Sequence, residues 1–280
     1  MKEFIEILKV LFLGIVEGIT EWLPVSSTGH LILFNEFLKL DVSDSFMKVF
    51  EVVIQLGAIL AVVVMFWKRL FPFSKNTTSE EKSKIYSLWL KVIVGVLPAA
   101  VLGFALDDLL ERYLYNYVVV AAMLIIYGIA FILVERYKKG KEYSIDRVYD
   151  ITYKDALIIG SYQVLSLIPG TSRSGATILG GMLTGVSRTA SAEFSFFLAI
   201  PVMLGASLLK VLKFILAGFT ASPFEIVLLF IGIAVSFAVS LIVIEFLMSF
   251  VKKHSFSAFG IYRIALGAIV LVYFLIKNIV

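Results

Sequence analysis

The sequence predicts an all-α, polytopic integral membrane protein with six spanning helices and two re-entrant helical hairpins, arranged as an inverted repeat. Three observations lead to this fold class. The 280 residues are 60% hydrophobic and 16% charged, which leaves too few charges to cover a soluble surface. Several apolar runs reach the roughly 20 residues that a helix needs to cross a hydrocarbon core about 30 Å thick. Two further apolar regions are interrupted by polar motifs.

Six uninterrupted apolar segments are long enough to span the bilayer as helices. The clearest contain runs with no charged residue, such as Tyr113–Val134 and Ile226–Ile244. The sequence lacks the short alternating segments, separated by turns, that are typical of a membrane β-barrel. The predicted spanning helices cover Phe46–Trp67, Ile85–Leu106, Tyr117–Val134, Ala190–Leu212, Glu225–Ile244 and Phe259–Ile276.

The two interrupted regions are Phe4–Leu33 and Ala156–Val186. The first is broken by EGITEWLPVSSTGHL at residues 17–31, and the second by PGTSRSGAT at residues 169–177. Each region is too long for one helix and too broken for two good spanning helices. Each therefore predicts a re-entrant hairpin, because non-helical backbone at membrane depth is tolerated only where protein or a water-filled cavity satisfies it.

The order of these features predicts a single membrane domain made of two repeats, residues 1–140 and 141–280. Each half contains one broken hairpin followed by three spanning helices. Because an odd number of helices, three, crosses the membrane in each half, the second repeat is inverted relative to the first. Inverted repeats commonly place a binding site near the bilayer midplane, where the broken segments meet.

The distribution of charge predicts the orientation. The segments Lys68–Lys84 and Glu135–Lys154 are rich in lysine and arginine, whereas Asp107–Asn116 begins with two acids. The positive-inside rule places the two basic segments in the cytoplasm and the acidic one outside. By the same rule, Lys210 and Lys213 would place the loop at residues 213–223 in the cytoplasm, opposite to the side that this topology gives it. We interpret them as side chains that extend to the membrane interface.

The first polar motif contains carboxylates, hydroxyls and a histidine. Glu17 and Glu21 are four residues apart, so a helix would project both carboxylates from one face, where they could hold a divalent cation. Pro24 would end that helix. Ser26, Ser27 and Thr28 could cap the next half-helix or act as phosphate ligands or nucleophile. His30 could activate a serine, attack phosphorus itself or donate a proton.

The second polar motif complements the first. Ser172, Ser174 and Thr177 supply hydroxyls near the N-terminus of a half-helix that is expected to begin near Gly175, and such termini attract anions. Arg173 could hold two phosphate oxygens at once, or could form a salt bridge to Glu17 or Glu21. Together the motifs predict a metal-assisted phosphate site inside a lipid-facing protein.

At these motifs the chain resembles the bacterial undecaprenyl-diphosphate phosphatases of the bacitracin-resistance type, and the hydropathy pattern agrees over the full length. The resemblance implies a membrane enzyme that removes the terminal phosphate of undecaprenyl diphosphate and recycles this lipid carrier for cell-wall synthesis. It also implies a divalent cation, Mg²⁺ or Ca²⁺. The family's acidic motif falls on Glu17 and Glu21, its serine and histidine on Ser27 and His30, and its arginine on Arg173.

The resemblance implies a polyprenyl diphosphate as substrate and the bacterial plasma or inner membrane as location. The orientation predicted from the two basic segments places the catalytic groups on the external side. The competing hypothesis is a secondary transporter or lipid flippase, because inverted repeats with broken helices are also a transporter architecture. The modest net charge of +4 does not indicate a nucleic-acid partner. The sequence does not decide among serine, histidine and water as nucleophile, and it leaves open whether the chain forms a homodimer.

Overall fold

The computed structural model describes residues 1–73 and 77–279, and in this part of the chain the secondary structure is helical apart from one isolated β-bridge between Ile145 and Val186. Short 3₁₀ turns lie at Val148–Asp150 and Leu165–Leu167. The α-helices are α1 Lys2–Thr20, α2 Ser27–Phe37, α3 Asp44–Val53, α4 Gln55–Met65, α5 Trp67–Leu70, α6 Ser79–Leu114, α7 Tyr117–Lys138, α8 Tyr153–Val164, α9 Arg173–Thr184, α10 Arg188–Leu216, α11 Pro223–Lys253 and α12 Ser257–Ile279.

The prediction of six spanning helices is confirmed. Six helical segments of the described residues are long and apolar enough to cross a membrane, and each overlaps one predicted span. The chain is thus an all-α, multi-pass membrane protein. That α1–α2 and α8–α9 re-enter the bilayer, and that the two halves form an inverted repeat, stay predictions. The six segments are Asp44–Met65, Ser79–Leu106, Tyr117–Lys138, Arg188–Leu216, Pro223–Lys253 and Ser257–Lys277.

Helix α6 is longer than the predicted span Ile85–Leu106, because it continues without interruption to Leu114. Similarly, α7 extends through the basic residues to Lys138, and α11 extends to Lys253. Charged residues such as glutamate, lysine and arginine are good helix formers. A change from apolar to charged sequence therefore marks where a helix leaves the hydrocarbon region, and the helix itself can continue beyond it.

One predicted span is divided in two. The segment Asp44–Met65 is interrupted at Ile54, which separates α3 from α4, and the Gly57 N–H bonds to the Ile54 carbonyl at 3.1 Å. A Cβ atom on Gly57 would lie 2.1 Å from the carbonyl oxygen of Ile233. The span thus approaches the α11 backbone very closely just after the interruption. Gln55 lies in the first turn of α4.

Helices of the two predicted halves pack closely against each other. Helix α1 lies along α11, α6 lies along α8, and α7 lies along α12. Glycines allow this close approach, as expected for helices that meet within a membrane. Gly14 and Gly18 of α1 face Val235 and Val239 of α11. The two broken helix pairs are therefore supported by spanning helices from the opposite half of the chain.

The contact between α8 and α6 gives the first testable prediction. A Cβ atom on Gly160 would lie 2.0 Å from the Gly95 carbonyl oxygen, so Gly160→Ala must separate the two backbones. We expect a loss of about 1–3 kcal/mol in stability and a lower midpoint of thermal unfolding in detergent. Gly205→Ala is the matched control, because no heavy atom lies within 4 Å of the added methyl group. Equal midpoints for the two variants would contradict the proposed packing.

Candidate functional site

The first broken helix pair differs slightly from the prediction. Helix α1 ends at Thr20, ahead of Pro24, and Glu21 follows as its C-cap residue. The Glu21 N–H still bonds to the Glu17 carbonyl at 3.0 Å, so the backbone remains helical up to Glu21. Proline excludes the residue before it from α geometry, so the helix ends upstream of the proline. Glu21 is thereby placed at the turn, next to the start of α2.

The second helices of both pairs begin with the same uncommon structure. Ser26 caps α2 and Ser172 caps α9, with side-chain oxygens that accept from the Gly29 N–H at 3.3 Å and the Gly175 N–H at 3.1 Å. Their φ angles are 73° and 71°, and these two are the only non-glycine residues with positive φ among the described residues. Such backbone strain costs about 1–3 kcal/mol per residue and is concentrated at functional sites.

A continuous polar network joins the two turns. The Arg173 guanidinium forms a salt bridge to Glu21, with Nη2 3.0 Å from Oε1, and its Nη1 donates to the Ser195 carbonyl at 2.8 Å. The Ser27 hydroxyl donates to the other Glu21 oxygen, Oε2, at 3.0 Å. The ion pair is largely buried, since the Arg173 and Glu21 side chains are only 10% and 9% exposed. Three of the predicted catalytic residues are therefore in direct contact.

A cavity of about 190 Å³ opens beside this network. Its polar residues come mainly from the two turns, and they include six of the ten residues predicted for the site. These six are Glu21, Ser26, Ser27, Thr28, Ser172 and Arg173. Helices α4 and α10 contribute another part of the lining, with Gln55, Val202, Met203 and Ala206. The cavity thus combines a polar region with a smaller, mainly apolar region.

Glu17, the other predicted metal ligand, lies deeper in the protein. Its side chain is fully buried, does not line the cavity, and neither carboxylate oxygen has a hydrogen-bond partner. Glu51 of α3 interacts with it electrostatically. Within the described ranges, no group of three or more histidine or acidic side chains could hold a metal ion. A buried carboxylate without partners is costly, so Glu17 requires a proton or a cation nearby.

His30 is directed away from the cavity. Its Nδ1 lies 2.7 Å from the Ser26 carbonyl oxygen, and its Nε2 lies 2.7 Å from the Tyr262 hydroxyl. A carbonyl oxygen can only accept, so Nδ1 carries a proton, and in the neutral ring Nε2 then accepts from Tyr262. The imidazole also stacks on the Tyr262 ring, with centroids 5.7 Å apart. In this structure His30 supports the strained cap at Ser26 and has no contact with Ser27.

Two of the predicted substrate ligands connect the loops to their surroundings. The Ser174 hydroxyl lies 3.2 Å from the Glu21 carbonyl oxygen and 3.4 Å from that of Leu23. The Thr177 hydroxyl bonds to the Arg173 carbonyl at 2.9 Å and to the Ser195 hydroxyl at 2.7 Å. Neither residue lines the cavity. Both are buried and hold Glu21 and Arg173 in place through backbone contacts.

Arg263 is an important residue that the sequence reasoning missed. It is fully buried on α12, and it donates to carbonyls of both turns: Nη1 to Pro24 at 3.1 Å, and Nη2 to Gly170 at 2.8 Å and to Thr171 at 2.9 Å. A further bond joins Nη2 to the Met123 carbonyl at 3.3 Å. One side chain thus connects the turn of the first pair, the turn of the second pair and α7.

A sequence signal for the missed residues was present. Arg263 is the single charge in the apolar run FGIYRIALGAIVLVYF, and Gln55 is the single amide in VVIQLGAILAVVV. Polar or ionisable residues within spanning segments generally mark a functional role or a buried contact. Ser166, which also lines the cavity, follows α8 in the second broken pair.

Comparison with known proteins shows a close relationship over nearly the whole chain. The profile of the family described as bacitracin resistance protein BacA matches residues 10–269. An undecaprenyl-diphosphatase from Enterococcus faecalis is 58% identical over 271 residues, which cover 96% of this chain and 97% of the relative. The undecaprenyl-diphosphatase from Lachnoclostridium phytofermentans is 56% identical over 276 residues, covering 99% and 100%. That from Acetivibrio thermocellus is 55% identical, covering 97% and 98%.

The contacts of Arg263 give a second prediction. Arg263→Lys keeps the positive charge, but a single ammonium group cannot reproduce the fork of bonds to both turns. Hydrogen bonds to charged groups contribute about 1.5–3 kcal/mol, so we expect the thermal midpoint in detergent to fall by about 5 °C or more. Arg147→Lys serves as control, because Arg147 is exposed and contacts only the nearby Asp150. An unchanged midpoint for Arg263→Lys would show that these bonds do not hold the turns together.

Proposed function

The chain belongs to the bacitracin resistance protein BacA family, and from this premise we propose that it is a membrane phosphatase that hydrolyses undecaprenyl diphosphate. The products are undecaprenyl phosphate and inorganic phosphate. The single observation that best supports this function is the contact of Ser27, Glu21 and Arg173 at the edge of one cavity. It combines a hydroxyl, a carboxylate that can accept its proton, and a guanidinium suited to phosphate.

We infer that Ser27 is the nucleophile and that Glu21 is its base. The Ser27 hydroxyl already donates to Glu21 Oε2 at 3.0 Å, which lies within the range required for proton transfer. As Ser27 Oγ attacks the terminal phosphorus, its proton passes to Glu21 and the bond from phosphorus to the bridging oxygen breaks. Undecaprenyl phosphate leaves with the electrons of that bond. Water then hydrolyses the phosphoserine and releases inorganic phosphate.

Arg173 is proposed to bind the diphosphate and to offset the charge of the transferred phosphoryl group. Its Nη atoms contact Glu21 and the Ser195 carbonyl, while Nε is buried without a partner. Ser26, Thr28 and Ser172 line the same cavity and can donate to phosphate oxygens. Ser174 and Thr177 act through the positions of Glu21 and Arg173. The two turns together would surround the headgroup.

We propose that Glu17 and Glu21 hold the divalent cation, Mg²⁺ or Ca²⁺. The two unpartnered oxygens of Glu17, one helical turn from Glu21, fit a hard cation that prefers oxygen ligands. Mg²⁺ is commonly held by one or two carboxylates together with phosphate oxygens of the substrate, so a third protein carboxylate is not required. When bound, the cation would polarise the phosphate and offset its negative charge.

His30 is proposed to act as a positioning residue for Ser26 and Ser27. Both of its ring nitrogens are occupied, by the Ser26 carbonyl and by Tyr262, so attack by histidine would require a different arrangement. Its bond to Ser26 supports the strained residue that starts α2 and presents Ser27. This arrangement favours serine over histidine as nucleophile.

The substrate carries a long isoprenoid tail that cannot leave the bilayer, so the enzyme must bind the diphosphate headgroup at the membrane. We propose that α1–α2 and α8–α9 are re-entrant hairpins that carry the catalytic groups to this level. We further propose that the protein resides in the bacterial plasma or inner membrane with its active site toward the outside. The support is the concentration of lysine and arginine in residues 68–84 and 135–154.

The function is tested with detergent-solubilised protein and undecaprenyl diphosphate. Release of inorganic phosphate is expected from the wild type, whereas a transporter or flippase would show activity only in a sealed membrane. Ser27→Ala and Glu21→Gln should each lower kcat by at least about a hundredfold, because they remove the nucleophile and its base. His30→Ala should retain measurable turnover.

Rapid quenching with labelled substrate provides the decisive measurement for the nucleophile. A phosphorylated serine is expected in the wild type and in His30→Ala, and it should be missing in Ser27→Ala. Phosphohistidine at position 30 would refute serine attack. Wild-type turnover in Ser27→Ala would exclude the hydroxyl from the reaction.

The orientation is tested by single cysteines, which the cysteine-free chain allows. Ser43 and Ser79 are both exposed, at the starts of α3 and α6. If the active site faces outward, an impermeant thiol reagent should label Ser43→Cys in intact spheroplasts and should spare Ser79→Cys. Permeabilised cells, in which both positions should react, provide the control. The reverse labelling pattern would overturn the proposed orientation.

A further inference from the structure

Gln55 is a polar side chain in an otherwise apolar part of a spanning segment. It lies between Ile54 and Leu56, in the run VVIQLGAILAVVV. Its amide has no hydrogen-bond partner among the residues that the structure describes, although it is only partly exposed. Because this side chain lines the cavity, its amide is available for a hydrogen bond to a ligand bound there.

Gln55 lies where its spanning segment is interrupted. Ile54 separates α3 from α4, and Gln55 is the first residue of α4. This part of the helix lines the cavity, together with Val202, Met203 and Ala206 of α10. Gln55 is the only polar residue that α4 and α10 contribute to the described cavity lining. All other polar groups of the lining belong to the two broken helix pairs.

The chemistry of an amide suits this place. The cavity already contains a guanidinium and a carboxylate, which are paired with each other. A neutral side chain can donate an N–H bond to a phosphate oxygen without disturbing that pair, and it has no charge to be neutralised in the bilayer. Hydrogen bonds to a charged partner are also about twice as strong as those between neutral groups.

We propose that Gln55 is a further substrate-contacting residue, which donates a hydrogen bond from its amide to a non-bridging oxygen of the diphosphate. This inference rests on the proposed phosphatase function and adds a contact from the spanning helices to those from the two turns. The headgroup would then be held by three elements: the turn before α2, the turn before α9 and the first turn of α4. The apolar residues of α10 beside Gln55 would lie next to the start of the isoprenoid chain.

A purely structural role for Gln55 makes a different prediction. Leucine has a similar size and suits an apolar spanning segment, so Gln55→Leu should then be neutral or stabilising. If Gln55 binds the diphosphate, the same variant should lose roughly tenfold to a hundredfold in kcat/KM, as expected for a lost bond to a charged group. Gln55→Asn keeps the amide but shortens its reach, and it should show a smaller loss in the same direction.

The test uses the full-length protein in detergent. Phosphate release from undecaprenyl diphosphate gives kcat and KM, and calorimetric titration with inorganic pyrophosphate gives the affinity for a headgroup without a tail. We expect Gln55→Leu to weaken pyrophosphate binding by roughly tenfold or more, with an unchanged or higher thermal midpoint. Gln163→Leu is the matched control, because Gln163 is buried in α8 with an unpartnered amide and does not line the cavity. It should leave pyrophosphate affinity unchanged.

The outcomes separate the two proposals. Wild-type kcat/KM and pyrophosphate affinity in Gln55→Leu would overturn the role of Gln55 while leaving the phosphatase intact. If Gln55→Leu does not fold, Gln55→Asn decides, and full affinity in that variant would likewise refute the contact. A wild-type protein that binds pyrophosphate through Gln55 but releases no phosphate would refute the phosphatase and retain the contact.

Discussion

The arrangement of the site depends on one buried ion pair. Glu21 and Arg173 are 152 residues apart in sequence, yet Oε1 and Nη2 are separated by 3.0 Å. Removing one partner of a buried pair typically costs about 3–5 kcal/mol, because the remaining charge is left without compensation. Each partner is also held from its own side, Glu21 by Ser27 and Arg173 by the Ser195 carbonyl. The pair therefore joins the two broken helix pairs at the edge of the cavity.

The strain of the site is concentrated at two matching positions. Ser26 and Ser172 both have positive φ, both cap the second helix of a broken pair, and both line the cavity. His30 supports the first of these turns, and Arg263 donates to carbonyls of both turns. Such support allows strained backbone to persist. The hydroxyls and the guanidinium are thus placed before a substrate arrives, which is the condition for electrostatic preorganisation.

Several polar groups of the two broken helix pairs find their partners within the protein. The Ser174 hydroxyl bonds to the Glu21 carbonyl, and the Thr177 hydroxyl bonds to the Arg173 carbonyl. Buried polar groups need such partners, because a group removed from water without one lowers stability. The groups left without partners include the Glu17 carboxylate and Arg173 Nε, and both belong to residues expected to meet a cation or a phosphate. A ligand would satisfy groups that the protein alone does not.

The sequence by itself determined the fold class, the six spanning helices and the composition of the polar site. These features depend on the length of each apolar run and on the residue types within each motif, and both can be read from neighbouring residues. It also identified the six predicted residues that line the cavity. Tertiary structure decided which side chains reach the cavity: Glu17 and His30 do not line it, while Gln55 does. Likewise, the contacts of Arg263 join residues that are 239 and 93 positions away in the chain. No local pattern encodes such contacts, since they join helices and turns that are far apart in the sequence and meet only in the folded protein.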